Sequence, residues 1–496
     1  MNGTDGAGRP GYAAREAPFQ MPLTDAPNIL WFCADQQRFD TIGALGNPHV
    51  RTPTLDRLVR EGVSFSRAYC QSPICTPSRA SFLTGRYPSS IRVTRNGNPF
   101  FWPDERLVTR RLADGGYNCG LVGKLHLAGA AFGREPRVDD GYRYVRYSHA
   151  PRDQWSRGHD YADWIREQGH DPATVLPSGF NVHDDLREPT PEHDNTPPEL
   201  HQSTWCAEMA IDFIKKPRSG PWMLSVNPFA PHAPFDPPWE YYRRYDPETM
   251  PDPWFEESDL PQQDRLGAVD FQTRSRQPSE IRAKHVRAAY YAMIEQLDEQ
   301  LGRIVQAIEE AGQLEQTAIV FTSDHGEMLG DHGLTHKGCR FYEGLVRVPL
   351  IWWWPGRVAS GVKRDALVEL TDIAPTLLDL AGLPIPGRMQ GRSLQPLLTD
   401  AAAEDAHRAF VRCEFLDALD MPDESRATMY CDGRWKLTVY HGHDIGELYD
   451  LAADPHEHRD LWDDPAHASI KLALMQRSFD ATVAALDLGP ERIMPN

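Results

Sequence analysis

Four short apolar runs, at 28–34, 118–122, 222–226 and 317–322, constrain this chain more than any other feature. None alternates with polar residues, and none approaches membrane-spanning length. Such runs are expected of strands buried on both faces of a parallel sheet. Helical periodicity fills the intervals. Residues 54–61 have helical spacing and stop at Gly62, after which 63–66 alternates like a strand. A helix over 105–113 closes at Gly115-Gly116, and 279–311 carries Ala288, Ala292, Ile294, Leu297, Leu301, Ile304 and Ile308 near helical spacing. Strands alternating with helices predict an α/β fold.

Beyond residues 380–384 the pattern changes. Strands at 410–413, 428–431 and 435–439, the last two joined by an Asp432-Gly433 turn, predict an antiparallel sheet, and 471–486 reads as a closing helix. The expected organisation is a loose tail over 1–26, a catalytic domain over 27–395 and a smaller α+β unit over 396–496. Residues 130–200, rich in Pro, His, Asp and Gly, are long for a loop without structure of its own. Trp155, His159, His193 and His201 in that segment are expected to shape a pocket.

The net charge of -19, from 52 basic and 71 acidic residues, argues against nucleic-acid or anionic-membrane partners. Residues 1–26 lack the apolar core of a signal peptide, and the eight cysteines show no framework spacing. A cytoplasmic protein is expected, and the sequence is compatible with an oligomer.

Several polar residues directly follow predicted strands: Asp35-Gln36, Lys124 and His126, His232, and Asp324-His325. In open α/β sheets, ligands gather at the carboxyl ends of strands. Asp35, Gln36, Asp324 and His325 together offer two carboxylates, an amide oxygen and an imidazole. The oxygens suit calcium or magnesium, and the histidine moves the preference toward manganese or another first-row metal.

Cys75-Thr76-Pro77-Ser78-Arg79 adds a cysteine where a helix should begin. An isolated cysteine is usually a small buried hydrophobe. Here the opening turn favours negative charge beside it. A thiolate phosphatase loop would need arginine where Ser81 stands, and Cys70 is too distant for a C-x-x-C pair. The segment, with Thr84-Gly85-Arg86 after it, resembles the sulfatase signature C-x-P-S-R followed by T-G-R. Further resemblance lies in Lys124-x-His126, in Pro231-His232-Ala233-Pro234, in Lys337 of 336–338, and in 343–350, 371–381, 389–394 and 447–455.

This resemblance to the sulfatase family, in the alkaline phosphatase superfamily, implies a mixed, mostly parallel sheet sandwiched by helices, with a smaller C-terminal antiparallel sheet. It implies that Cys75 is oxidised to formylglycine by a formylglycine-generating enzyme, and that a divalent metal is held by Asp35, Gln36, modified Cys75, Asp324 and His325. Arg79 would brace the formylglycine hydrate, Lys124 and Lys337 would neutralise sulfuryl oxygens, His232 with Lys337 would protonate the leaving alcohol, and His126 would assist release of sulfate. Asn96, in a turn-like segment, resembles a substrate-lining position of phosphonate hydrolases.

The family's usual metal pairs are Asp-Asp and Asp-Asn. Gln36 and His325 depart from them and look more like phosphonate monoester hydrolases and choline-sulfatase-type enzymes, which leaves calcium or manganese as the metal. The expected activity is hydrolysis of a small anionic sulfate monoester, as in arylsulfatases. A phosphonate monoester or phosphodiester hydrolase is the alternative, opposed by Lys124 and His126, where that family carries hydroxyl side chains. A non-catalytic metal-binding homologue is the third reading.

Overall fold

The computed structural model describes residues 26–130, 133–152, 156–176, 186–191 and 193–487. Trp155 and the expected tail, apart from its last residue, lie outside them. Eight strands form the main sheet: β1 (Asn28–Ala34), β2 (Val63–Tyr69), β3 (Asn118–Gly123), β4 (Tyr144–Tyr147), β5 (Trp222–Asn227), β6 (Thr317–Ser323), β7 (Arg347–Trp353) and β8 (Val362–Glu369). Their order is β4-β3-β5-β1-β6-β7-β2-β8, parallel throughout except that β7 runs antiparallel to both neighbours.

The apolar runs are explained by the two faces of this sheet. On β1, Ile29, Trp31 and Cys33 enter one apolar cluster, while Leu30, Phe32 and Ala34 enter the other. The helix Ala283–Glu310 covers the second face through Ile294, Leu297, Leu301 and Ile304. On the first face the helix Cys75–Thr84 packs Phe82 against Trp31, ring centroids 5.1 Å apart. Side chains buried on both faces each contribute about 1.5–3 kcal/mol of burial free energy, and β1, β3, β5 and β6 carry no charged residue within them, so their ionisable groups follow the strand ends.

The long helix begins at Ala283 and not at the expected 279, because Arg282 adopts a left-handed conformation (φ 51°) that cannot continue a helical turn. The helix expected at 105 starts at Val108. Residues 130–200 are more structured than their composition suggested, carrying β4 and the helices Asp160–Glu167 and Pro172–Val175.

The C-terminal sheet consists of β9 (Val411–Leu416), β10 (Arg426–Cys431), β11 (Trp435–Tyr440) and β12 (Gly446–Asp450), in the antiparallel order β12-β11-β10-β9. Val411, Cys413, Phe415, Ala427, Met429 and Cys431 on one face join the same cluster as Phe65 and Leu367 of the main sheet. The closing helix runs over Ala468–Ala484. All eight cysteines are free and buried. Among the described residues, no helix is long and apolar enough to cross a membrane.

Candidate active site

Because β1, β3, β5 and β6 are parallel and adjacent, their carboxyl ends deliver Asp35, Lys124, His232 and Asp324 to one edge of the sheet. Cys75 reaches the same point from the first residue of its helix. Its Sγ lies 2.9 Å from Lys337 Nζ, 3.2 Å from His325 Nε2 and 3.8 Å from Asp35 Oδ1. Burial disfavours the thiolate, but the Lys124 and Lys337 charges outweigh it and pull the Cys75 pKa well below the ordinary thiol value.

Two fully buried carboxylates face this sulfur, each matched to a cation. Lys124 Nζ donates to Asp35, while Arg79 Nε donates to Asp324 Oδ2 at 2.8 Å. Desolvation, reinforced by the neighbouring Asp324 charge, raises the Asp35 pKa to about 6. Arg79 overcomes the burial of Asp324 and holds its pKa down at about 2. Asp324 Oδ1 also accepts the backbone N–H groups of Gln36 and His325, each at 3.0 Å.

Tautomers follow from the hydrogen bonds. His325 Nδ1 faces Gly326 O at 2.9 Å, so it carries the proton and leaves the Nε2 lone pair directed at Cys75. His232 Nδ1 faces Ala233 O at 2.7 Å, so its Nε2 accepts from Lys337 Nζ at 3.0 Å. Burial and the Lys337 charge keep His232 neutral. His126 is held neutral too, its pKa driven to about 4 by burial and by Lys124.

Asp35, Cys75, Asp324 and His325 each offer a donor atom, and these atoms lie within 4.8 Å of one another. Two buried carboxylates with a lone-pair-directed imidazole fit a divalent cation. Gln36 borders this set, its Oε1 accepting from Lys337 at 2.8 Å and its Nε2 donating to Glu327. Asn96 has a different contact: its Oδ1 accepts the Thr76 N–H at 2.9 Å, capping the first turn of the Cys75 helix from outside. His201 also acts as a cap, accepting from Ser203 N on the helix Gln202–Lys215, while His159 faces Gly133 O and His193 is exposed.

Two glutamates escaped the sequence reading. Buried Glu135 accepts the N–H groups of His126, Leu127 and Ala128 at 2.6, 2.7 and 3.0 Å, holding His126 in its left-handed conformation (φ 59°). Glu327, which holds Gln36, also accepts the N–H groups of Leu329 and His336 beside Lys337. Neither lies at a strand end. Neither belongs to a motif or a periodic run, so nothing local in the sequence marked them. Glu135→Gln turns an N–H₂ group toward backbone donors, which should cost about 1–3 kcal/mol of stability and, by displacing His126, about 10²-fold in kcat. Denaturant unfolding and steady-state kinetics on one preparation measure both.

A family model described as Sulfatase matches residues 27–383. The chain belongs to the sulfatase family. A second model, the N-sulphoglucosamine sulphohydrolase C-terminal region, matches 330–483 of this sulfatase. Its relatives include an arylsulfatase of Clostridium perfringens, 32% identical over 75% of this chain and 79% of that protein. Another is a multifunctional alkaline phosphatase superfamily protein of Trinickia caryophylli, 29% identical over 93% of this chain and 96% of that one. Among solved structures, the phosphonate monoester hydrolase of Agrobacterium radiobacter superposes with a TM-score of 0.80 at 28% identity, covering 93% of this chain and 96% of that chain. The expected fold, with its C-terminal antiparallel sheet, is thereby borne out. So is membership of a family of sulfate-ester hydrolases.

Proposed function

We propose that this sulfatase cleaves a small sulfate monoester with a formylglycine made from Cys75 by a formylglycine-generating enzyme. The convergence of Lys124, Lys337 and Arg79 on Cys75 and two buried carboxylates carries this reading, because an anionic ester can approach a nucleophile here only with such compensation. A divalent ion, calcium or manganese, held by Asp35, Gln36, modified Cys75, Asp324 and His325 would supply charge for a sulfate oxygen and acidify the nucleophile's hydroxyl. The formylglycine hydrate supplies two hydroxyls, one to displace the alcohol and one whose deprotonation expels sulfate. Cys75 is 1% exposed, so oxidation would act on the chain before this site closes.

The protein's own groups take the remaining roles. Arg79 holds Asp324, while Lys124 and Lys337, paired with Asp35 and Cys75, would neutralise the sulfuryl oxygens. Lys337, hydrogen-bonded to neutral His232, is placed to pass a proton to the departing alkoxide. Neutral His126 is available as the base for the second hydroxyl. Asn96 serves through the helix cap that seats Cys75. Residues 27–395 would form the catalytic unit, with 396–496 as the smaller one and the cytoplasm as the compartment.

Phosphonate monoester hydrolysis is the second reading, favoured by Gln36, by His325 and by the 0.80 TM-score to such an enzyme. Paired assays separate them. An aryl sulfate should be turned over with kcat/KM at least about 10-fold above that for the matching aryl phosphonate monoester. The opposite ranking would transfer the assignment to phosphonates.

A further inference from the structure

A second group of metal-capable side chains, sharing no residue with the Cys75 cluster, meets where three distant stretches of chain converge. Asp259 opens the helix Asp259–Arg265, His332 lies in the turn Asp331–Gly333, and His458 follows β12. Both imidazoles present Nδ1 to one carboxylate. His332 Nδ1 is 3.2 Å from Asp259 Oδ1, and His458 Nδ1 is 3.1 Å from each Asp259 oxygen. Donor atoms around a tetrahedral zinc-type ion, bound at about 2.0–2.1 Å, stand about 3.3 Å apart, close to both nitrogen–carboxylate distances here, and all three donor atoms lie within 4.8 Å of one another.

The surroundings restrict these donors. Tyr342 stacks on the His332 ring at a centroid distance of 3.9 Å, and the Glu256 N–H fixes Asp259 Oδ2 at 2.8 Å. Asp259 and His332 are buried, whereas the His458 side chain keeps 14% of its surface exposed, which leaves an entry from solvent. His456 lies beside this group, its ring packed 4.2 Å from that of Trp254. Its Nδ1 is buried without a hydrogen-bond partner among the described residues, and its ring lies 6.3 Å from that of His458. One carboxylate with two or three imidazoles is a set for zinc and neighbouring first-row ions, unlike the oxygen-richer cluster at Cys75.

We propose that Asp259, His332 and His458 form a second, structural site for a zinc-type divalent cation, with His456 or water completing it. The ion would tie the segment after β12 to the turn that precedes Lys337. The test uses the full-length protein, stripped with a chelator and reloaded with cobalt(II) or zinc. Wild type should take up one more equivalent per chain than Asp259→Asn or His458→Gln, and its cobalt form should show tetrahedral ligand-field bands that His458→Gln lacks. Zinc should raise the Tm of wild type by several degrees and leave His458→Gln unmoved. Equal uptake by wild type and His458→Gln overturns the proposal, and the triad is then an ion-paired clamp of Asp259 with protonated His332. Wild type decides even if the variants fail to fold: cobalt uptake without a tetrahedral band also refutes the site.

Discussion

Cys75→Ala should lower kcat/KM on an aryl sulfate by about 10⁴-fold or more, because it removes the only group in the cluster able to become the covalent nucleophile. The variant should stay folded. Cys75 has its sulfur against Lys337, His325 and Asp35 and belongs to no large apolar contact, so little packing is lost. Cys75→Ser gives a sharper result. Its hydroxyl can attack sulfur once, but without a geminal partner it cannot expel sulfate, so a burst followed by a stable sulfated protein is expected in intact-mass spectra. Wild type made alongside a formylglycine-generating enzyme should be lighter than the encoded mass by the difference between a thiol side chain and an aldehyde. Full activity in protein whose Cys75 is entirely an unmodified thiol would sink the formylglycine reading.

Asp324→Ala should damage stability and chemistry together. The carboxylate accepts from Arg79, from Gln36 N and from His325 N, and both it and Arg79 are sealed from solvent. Removing it strands a buried guanidinium, whose remaining carboxylate, Asp35, is 3.7 Å away. Breaking a buried pair from one side typically costs about 3–5 kcal/mol, which chemical denaturation resolves. The same change removes one of four clustered metal donors, so the variant should also lose its tightly held divalent ion in elemental analysis. Asp324→Asn separates the two effects: it keeps acceptors for Gln36 and His325 but not the charge, and should recover part of the stability while remaining inactive. A variant with wild-type metal content would remove Asp324 from the ligand set.

The parts of this protein legible in its sequence are those governed by local rules. Asn28–Ala34 is apolar at every position of its core because both faces of β1 are covered, and that need is visible without coordinates. Strand-end polar residues were legible for the same reason: in an all-apolar run, the residue that ends it carries the chemistry. Boundaries were less so. The start of the long helix depends on the left-handed conformation of Arg282, and nothing in an arginine announces it.

Glu135 and Glu327 were illegible for a different reason. Each acts by satisfying backbone N–H groups of a segment folded against it, so its role exists only once that segment adopts its conformation. Asn96 was legible as a turn residue and as a neighbour of substrate by resemblance, whereas its contact with Thr76 N makes it a cap on the Cys75 helix. Likewise, the Asp259, His332 and His458 triad joins residues 73 and 199 positions apart, a separation no motif spans.

By itself the sequence determined an α/β sheet, the order of its strand-end residues and the presence of Cys75 in a sulfatase signature, because apolar periodicity and motif spacing are local properties of the chain. Only the tertiary structure decided which cation meets which carboxylate, which imidazole nitrogen carries its proton and which glutamates hold the catalytic loops. Those depend on distances of about 3 Å between residues brought together by parallel strands, and on the loss of water that makes each such pairing matter.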